Sequence, residues 1–257
     1  MAKKIEVPVF IGIDLAWKAS NPSGGAVIVD GRLVAHTGTL GSNSEIVAFV
    51  SEHLSQTDGA VVAVDAPLRV PNQTGSRPCD VALSADWRRF HAGALPANRA
   101  RLAEEGIVRG EALVAALVQG LRFTEAAAIP RRTRARLVCE VFPHPAHISL
   151  FGLERILKYK RGSVDERREE ITRYQKLLRG LRKASLPLKG TKRLLTGVDV
   201  AELRGKALKE YEDTLDAITC AYVASYLWEH GPKAAVTYGS LAEGSILVPA
   251  RPKKRDG

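Results

Sequence analysis

Five carboxylates stand where a carboxylate is costly. Asp14 follows Gly12 and Ile13 near the end of the apolar run from Val7 to Leu15. Asp65 closes a second such run, Ala60 to Val64, and Glu140 lies inside a third, Leu137 to Val141. Asp213 and Asp216 are three residues apart, on one face of a late amphipathic helix. An ionised carboxylate in apolar surroundings must be paired, capped or set against a cation. For Asp213 an N-cap is the competing reading, and for Asp216 a favourable place at the positive end of a helix dipole. Glu140 either joins the others or pairs with a buried arginine. Asp14 and Asp65, at strand ends, have no such secondary-structure duty. Carboxylates gathered by a cation through oxygen alone select hard ions, Mg²⁺ or Mn²⁺. Two such ions can position a water and stabilise the leaving oxygen in phosphodiester cleavage.

The elements that would carry these groups follow from the hydrophobic pattern. Val7 to Leu15 reads as a strand, Asn21 to Gly25 as a turn, and Ala26 to Val29 as a second strand. Asp30-Gly31 signals a tight hairpin leading into a third strand, Arg32 to Leu40. Ser42 to Leu54 has helical spacing, with Ser42 or Ser44 as cap. Ala60 to Val64 reads as a strand buried on both faces, stopped by Pro67. From Val70 to Arg136 strand signals weaken, and helices are expected at Asn98 to Glu105 and Glu111 to Leu121. Leu137 to Val141 restores a strand, ended by Phe142-Pro143, with a helix from His147 to Leu157. Ser163 and Glu166 form a capping box for the next helix. A shorter helix is expected at Val200 to Tyr211 and the strongest one at Asp213 to His230, ended by Gly231-Pro232. The expected organisation is one α/β domain over residues 1–250, with a helical insertion at about 70–136 and a basic tail, 251–257.

The formal net charge of +10 favours anionic partners, nucleic acid among them. Residues 154–194 hold 14 Lys and Arg against 5 Asp and Glu. That segment is either a phosphate-tracking surface or a solvated helix face laced with ion pairs. Trp17, Trp87, Phe90 and Tyr159 are core residues or base-stacking platforms, and Trp17, just beyond Asp14, is best placed to stack. His144 and His147 lack a third soft ligand, and Pro145 spoils their spacing for zinc. His144 could still assist proton transfer near Glu140. Cys79, Cys139 and Cys220 form neither a disulfide framework nor a zinc knuckle. No stretch reaches the about 20 apolar residues that a membrane span needs. Asp14 interrupts the only run resembling a secretion signal, so a cytoplasmic protein with no membrane partner is expected. No phosphate-binding G-x-x-x-x-G-K-[ST] and no G-x-S-x-G occurs.

Taken in order, several short pieces resemble one known family. They are Gly12-Ile13-Asp14, Val64-Asp65-Ala66-Pro67-Leu68, Arg77-Pro78-Cys79-Asp80, Glu140-Val141-Phe142-Pro143, Lys158-Tyr159-Lys160, Asp213-Thr214-Leu215-Asp216-Ala217 and Glu243-Gly244-Ser245-Ile246. Together they resemble the predicted ribonuclease H-like nucleases of domain-of-unknown-function group 429. The resemblance implies a ribonuclease H-like fold, with a mixed five-stranded sheet and helices on both faces. It implies a Mg²⁺ or Mn²⁺ site at Asp14, Asp65 and Asp216, completed by Glu140 or Asp213, and hydrolysis of DNA or RNA. It also brings Arg77, Lys158 and Lys160 toward the substrate. The glutamate that ribonucleases H proper carry on the first helix has no counterpart here, since Glu45 lies at the helix start. Two alternatives remain: a nucleic-acid-binding protein without cleavage, and a phosphotransferase of the actin-like relatives.

Overall fold

The computed structural model describes residues 8–54 and 59–251. The basic tail expected at 251–257 falls almost wholly outside them. Strands β1 (Val9–Asp14), β2 (Ser23–Val29) and β3 (Arg32–Leu40) form an antiparallel meander, followed by helix α1 (Asn43–Leu54) and strand β4 (Ala60–Asp65). Next come α2 (Pro78–Trp87), the short helix α3 (Arg99–Leu102), the small hairpin β5 (Ala103–Glu104) and β6 (Ile107–Val108), α4 (Arg109–Leu121) and β7 (Thr124–Glu125). Strand β8 (Arg136–Glu140) leads to α5 (Pro143–Phe151), α6 (Val164–Gly180), α7 (Lys192–Gly197) and α8 (Gly205–His230). A hairpin, β9 (Ala235–Ser240) and β10 (Gly244–Pro249), closes the described chain.

The sheet runs β3-β2-β1-β4-β8-β7. It is mixed: β4 lies parallel to β1 and to β8, and β7 parallel to β8. It has six strands rather than five, because two residues of the insertion add an edge strand too short to show a period. Alternation along the strands divides the core. Ile11, Ile13, Val62 and Val64 face α1 and α4, whereas Phe10, Val61 and Ala63 face α8. Helices therefore cover both faces. Burial on both sides explains why β1 and β4 read as continuous apolar runs.

Four local expectations change. Ser23, Gly24 and Gly25 belong to β2 and not to a turn. Strand β8 ends before Phe142-Pro143 as expected, but the helix after it opens at Pro143 and not at His147, because proline at the first helical turn loses no needed hydrogen bond. That helix ends at Gly152, in the left-handed region. Third, the helix expected at 98–105 shrinks to Arg99–Leu102, and α2 is an additional helix within the insertion. Fourth, the two late helices are one: α8 runs unbroken from Gly205 to His230, and Val200–Glu202 is only a 3-10 turn before it. The capping box at Ser163 and Glu166 is present as expected.

Helix α8 rests directly on the meander. A β-carbon on Gly12 would collide with the Ala217 carbonyl oxygen and the Ala221 amide nitrogen, and one on Gly24 with the Asp213 carbonyl. Both glycines are there because backbone meets backbone. We expect Gly12→Ala to destabilise the protein by about 2 kcal/mol or more, since overpacking must push α8 off β1. Urea denaturation measures this, and a change below about 0.5 kcal/mol would contradict the close approach.

Candidate active site

The parallel register sets Asp14 directly beside Asp65, each the last residue of its strand. Adjacent strands lie about 4.8 Å apart, so the two carboxylates share one neighbourhood. Helix α8 brings Asp213 and Asp216 over the same strand ends, with Asp216 fully buried. Asp213 is in the third turn of α8, so it is not an N-cap. Asp14, Asp65 and Glu140 line a cavity of about 950 Å³, with Trp17, His144, Lys158, Lys160 and Arg161 also on its wall.

Lys160 is the cation of this cluster. Its Nζ lies 2.7 Å from Asp216 Oδ2. Burial alone would depress its pKa, but Asp14, Asp216 and Asp65 around it hold the ammonium charged well above its ordinary value. The other oxygen of Asp216, Oδ1, accepts from the Tyr159 hydroxyl at 2.6 Å and the Tyr174 hydroxyl at 3.2 Å. Burial would raise Asp216, yet Lys160 and these donors bring it below the usual carboxylate range. Asp14 and Asp65 go the other way. Burial drives both up, Asp65 to about 7, with Lys160 opposing and Asp216 adding to the rise. Asp213, which pairs with Lys209, adds to the rise at Asp14. One ionised carboxylate thus sits beside neighbours that favour their protons, the usual outcome when like charges crowd.

Glu140 takes the other of its two readings. Arg77 donates to it through Nη1 at 2.8 Å and Nη2 at 2.6 Å, and the Leu68 amide adds a third bond at 3.0 Å. Arg77 is itself only 1% exposed and also pairs with Asp80 through Nη2 at 2.7 Å. Its fork-shaped guanidinium is saturated by two carboxylates and the Arg69 carbonyl. Arg77 is therefore a buried brace at the cavity wall, and Glu140 gives three of its about four acceptor positions to protein donors. Tyr159 is fully buried, so it orients Asp216 instead of stacking a base. Trp87 is likewise core and donates to Tyr238. Trp17 remains partly exposed at the cavity, with the Arg101 guanidinium 5.4 Å from its ring centre. Lys158 and Lys160 reach the cavity from the loop between α5 and α6.

Several site residues have no signal in the sequence. Tyr174 hydrogen-bonds Asp216, Thr219 and the Leu215 carbonyl, and His147 Nε2 lies 2.7 Å from its hydroxyl. Arg109 reaches back from α4 to the carbonyls of Ala16, Lys18, Asn21 and Gly41, fixing the loop after Asp14. Tyrosine at helical spacing looks like core, and an arginine 93 residues distant from its acceptor looks like surface.

Among the described residues, no three His, Cys, Asp or Glu side chains are gathered closely enough to hold a metal ion. The donor chemistry of Asp14, Asp65 and Asp216, all carboxylate oxygen, suits a hard divalent ion. The positive charge they surround is the lysine.

Two measurements probe this arrangement. Arg77→Ala would leave Asp80 and Glu140 buried without their cation, at a cost of about 3–5 kcal/mol in urea denaturation; a loss under about 1 kcal/mol would refute the brace. His147 is pushed down by burial to about 3, from an ordinary 6.5. The unfolded chain therefore binds this proton first. The stability that neutral His147 contributes is whole above about pH 6.5 and is lost as pH falls toward 3. Between pH 7 and pH 5 that loss is about 2 kcal/mol. His147→Gln, which does not titrate, should lose about that much less stability than the wild type over the same interval. Parallel pH–stability curves would contradict it.

No curated protein matches the chain, and no solved structure does. One family model matches residues 12–238, a span reaching from just before Asp14 to β9 and holding every carboxylate described above. The chain belongs to that family, described as a protein of unknown function, DUF429.

Proposed function

We propose that the sheet is ribonuclease H-like and that the protein is a Mg²⁺- or Mn²⁺-dependent nuclease acting on DNA or RNA. The observation carrying this reading is the arrangement of three carboxylates around one lysine. Asp14 and Asp65 sit in register at the carboxyl ends of adjacent parallel strands, and Asp216 meets them from α8. In open α/β sheets that end of the strands is where ligands bind.

Asp14, Asp65 and Asp216 would hold the ion, with Asp213 beside Asp14. A divalent ion there would supply Lewis acidity and make a water easier to deprotonate for attack on phosphorus. The protein's own groups do the rest. Tyr159 and Tyr174 fix the orientation of Asp216, and the Arg77–Glu140 pair braces the end of β8. Lys158 and Arg161, both on the cavity wall and exposed, offer charge to backbone phosphates. Trp17 offers a ring face to a base. Binding without cleavage is the second reading, favoured by the ammonium already paired with Asp216.

The test is cleavage of labelled single- and double-stranded DNA and RNA with Mn²⁺. Wild-type protein should cut at least one class, and Asp14→Asn should cut at least 1000-fold more slowly (~4 kcal/mol of transition-state stabilisation) while still binding. Wild-type-like cutting by the variant would sink the reading. Salt-sensitive binding with no cutting by the wild type would select the second one.

A further inference from the structure

Lys160 has an unusual station. Its backbone is anchored, because Tyr159 beside it is fully buried, hydrogen-bonded to Asp216 through its hydroxyl and to Arg167 through its carbonyl. Its side chain is less confined: about a third of it, 32%, is exposed to the cavity. The only ion pair of the ammonium among the described residues is with Asp216. Oδ1 of Asp216 is thus held by tyrosine hydroxyls, whereas Oδ2 is buried without a hydrogen bond and has only the lysine's charge beside it. The tyrosines are locked in the core, whereas a lysine head on a four-carbon stem can turn away.

We infer that Lys160 is a tethered occupant of the carboxylate cluster, and that a divalent cation binds there only by displacing its ammonium from Asp216. The inference rests on the metal-site reading above and adds a competitor to it. A tethered ammonium cannot dilute away, so it competes at the millimolar-scale effective concentrations of short tethers. Only the fraction of molecules with Lys160 turned out is competent, and the apparent affinity for metal falls by that fraction. The released head has somewhere to go, because Glu169 lines the same cavity, beside Glu166, which caps α6, and Glu170, which accepts from the Lys158 amide. Lys160 would thus keep the cluster neutralised without metal and set the metal concentration at which it fills.

Mn²⁺ titration of the full chain at fixed pH, followed by calorimetry, tests this. Lys160→Met should bind Mn²⁺ at least tenfold more tightly than wild type, while Lys160→Arg, which keeps the charge, should not. Asp14→Asn should lose the binding, which locates the ion. In the wild type, acetic anhydride labelling of Lys160, read by peptide mass spectrometry, should rise several-fold when Mn²⁺ saturates the protein. That measurement needs no variant and decides the matter if Lys160→Met fails to fold. Wild type and Lys160→Met binding Mn²⁺ equally, or labelling unchanged at saturation, would overturn the competition and leave the metal site standing. No Mn²⁺ binding by wild type or variant would overturn both.

Discussion

The backbone-to-backbone contact between α8 and the meander is the constraint on which the site depends. Asp216 can meet Asp14 and Asp65 only if the helix axis comes closer to the sheet than ordinary side chains allow. Gly12 and Gly24 on the strands, with Ala217 and Ala221 on the helix, remove the material that would hold them apart. The same approach buries Asp216 completely and Asp213 nearly so, while Asp14 and Asp65 stay half-buried at the cavity. Burial is the largest influence on Asp14, Asp65, Asp213 and Asp216 alike. The electrostatics of the site are therefore a consequence of packing.

Given that burial, the protein resolves its crowded charges in two ways. Glu140 is neutralised by an arginine with ideal fork geometry, deep in the structure and braced by Asp80. Removing either partner strands the other, so this pair behaves as architecture. Asp216 is met by a lysine at the edge of a cavity. A rigid, saturated cation lies below the site and a movable one at its mouth. The two carboxylates looked alike as sequence, each a single acid in an apolar segment. Their partners separate them.

Much of the frame was legible. The runs around Asp14, Asp65 and Glu140 are strands because both faces are apolar, and the Ser163 cap starts α6 as its chemistry requires. The merging of two expected helices into α8 was not legible. The two expected helices were divided at Asp213, which reads as a cap, whereas tertiary packing carries one helix straight through it. Equally hidden were the partners: Arg77 meets Glu140 across 63 residues, and Tyr159 meets Asp216 across 57. A period in sequence reports which face is buried. It carries no information on which polar group waits on the other side.

Arg109 gives the insertion a different meaning. Its guanidinium accounts for carbonyls from the β1–β2 loop and for that of Gly41 just before α1, and Asn43 returns a bond to its own carbonyl. Segments distant along the chain are thereby joined at one buried point. Local opening of α4 would release the loop after Asp14 at the same time, since those carbonyls would lose their donor. The insertion and the loop after Asp14 should then exchange their amide hydrogens as a single cooperative unit, and the wall of the cavity belongs to the folded body and not to a detachable lid.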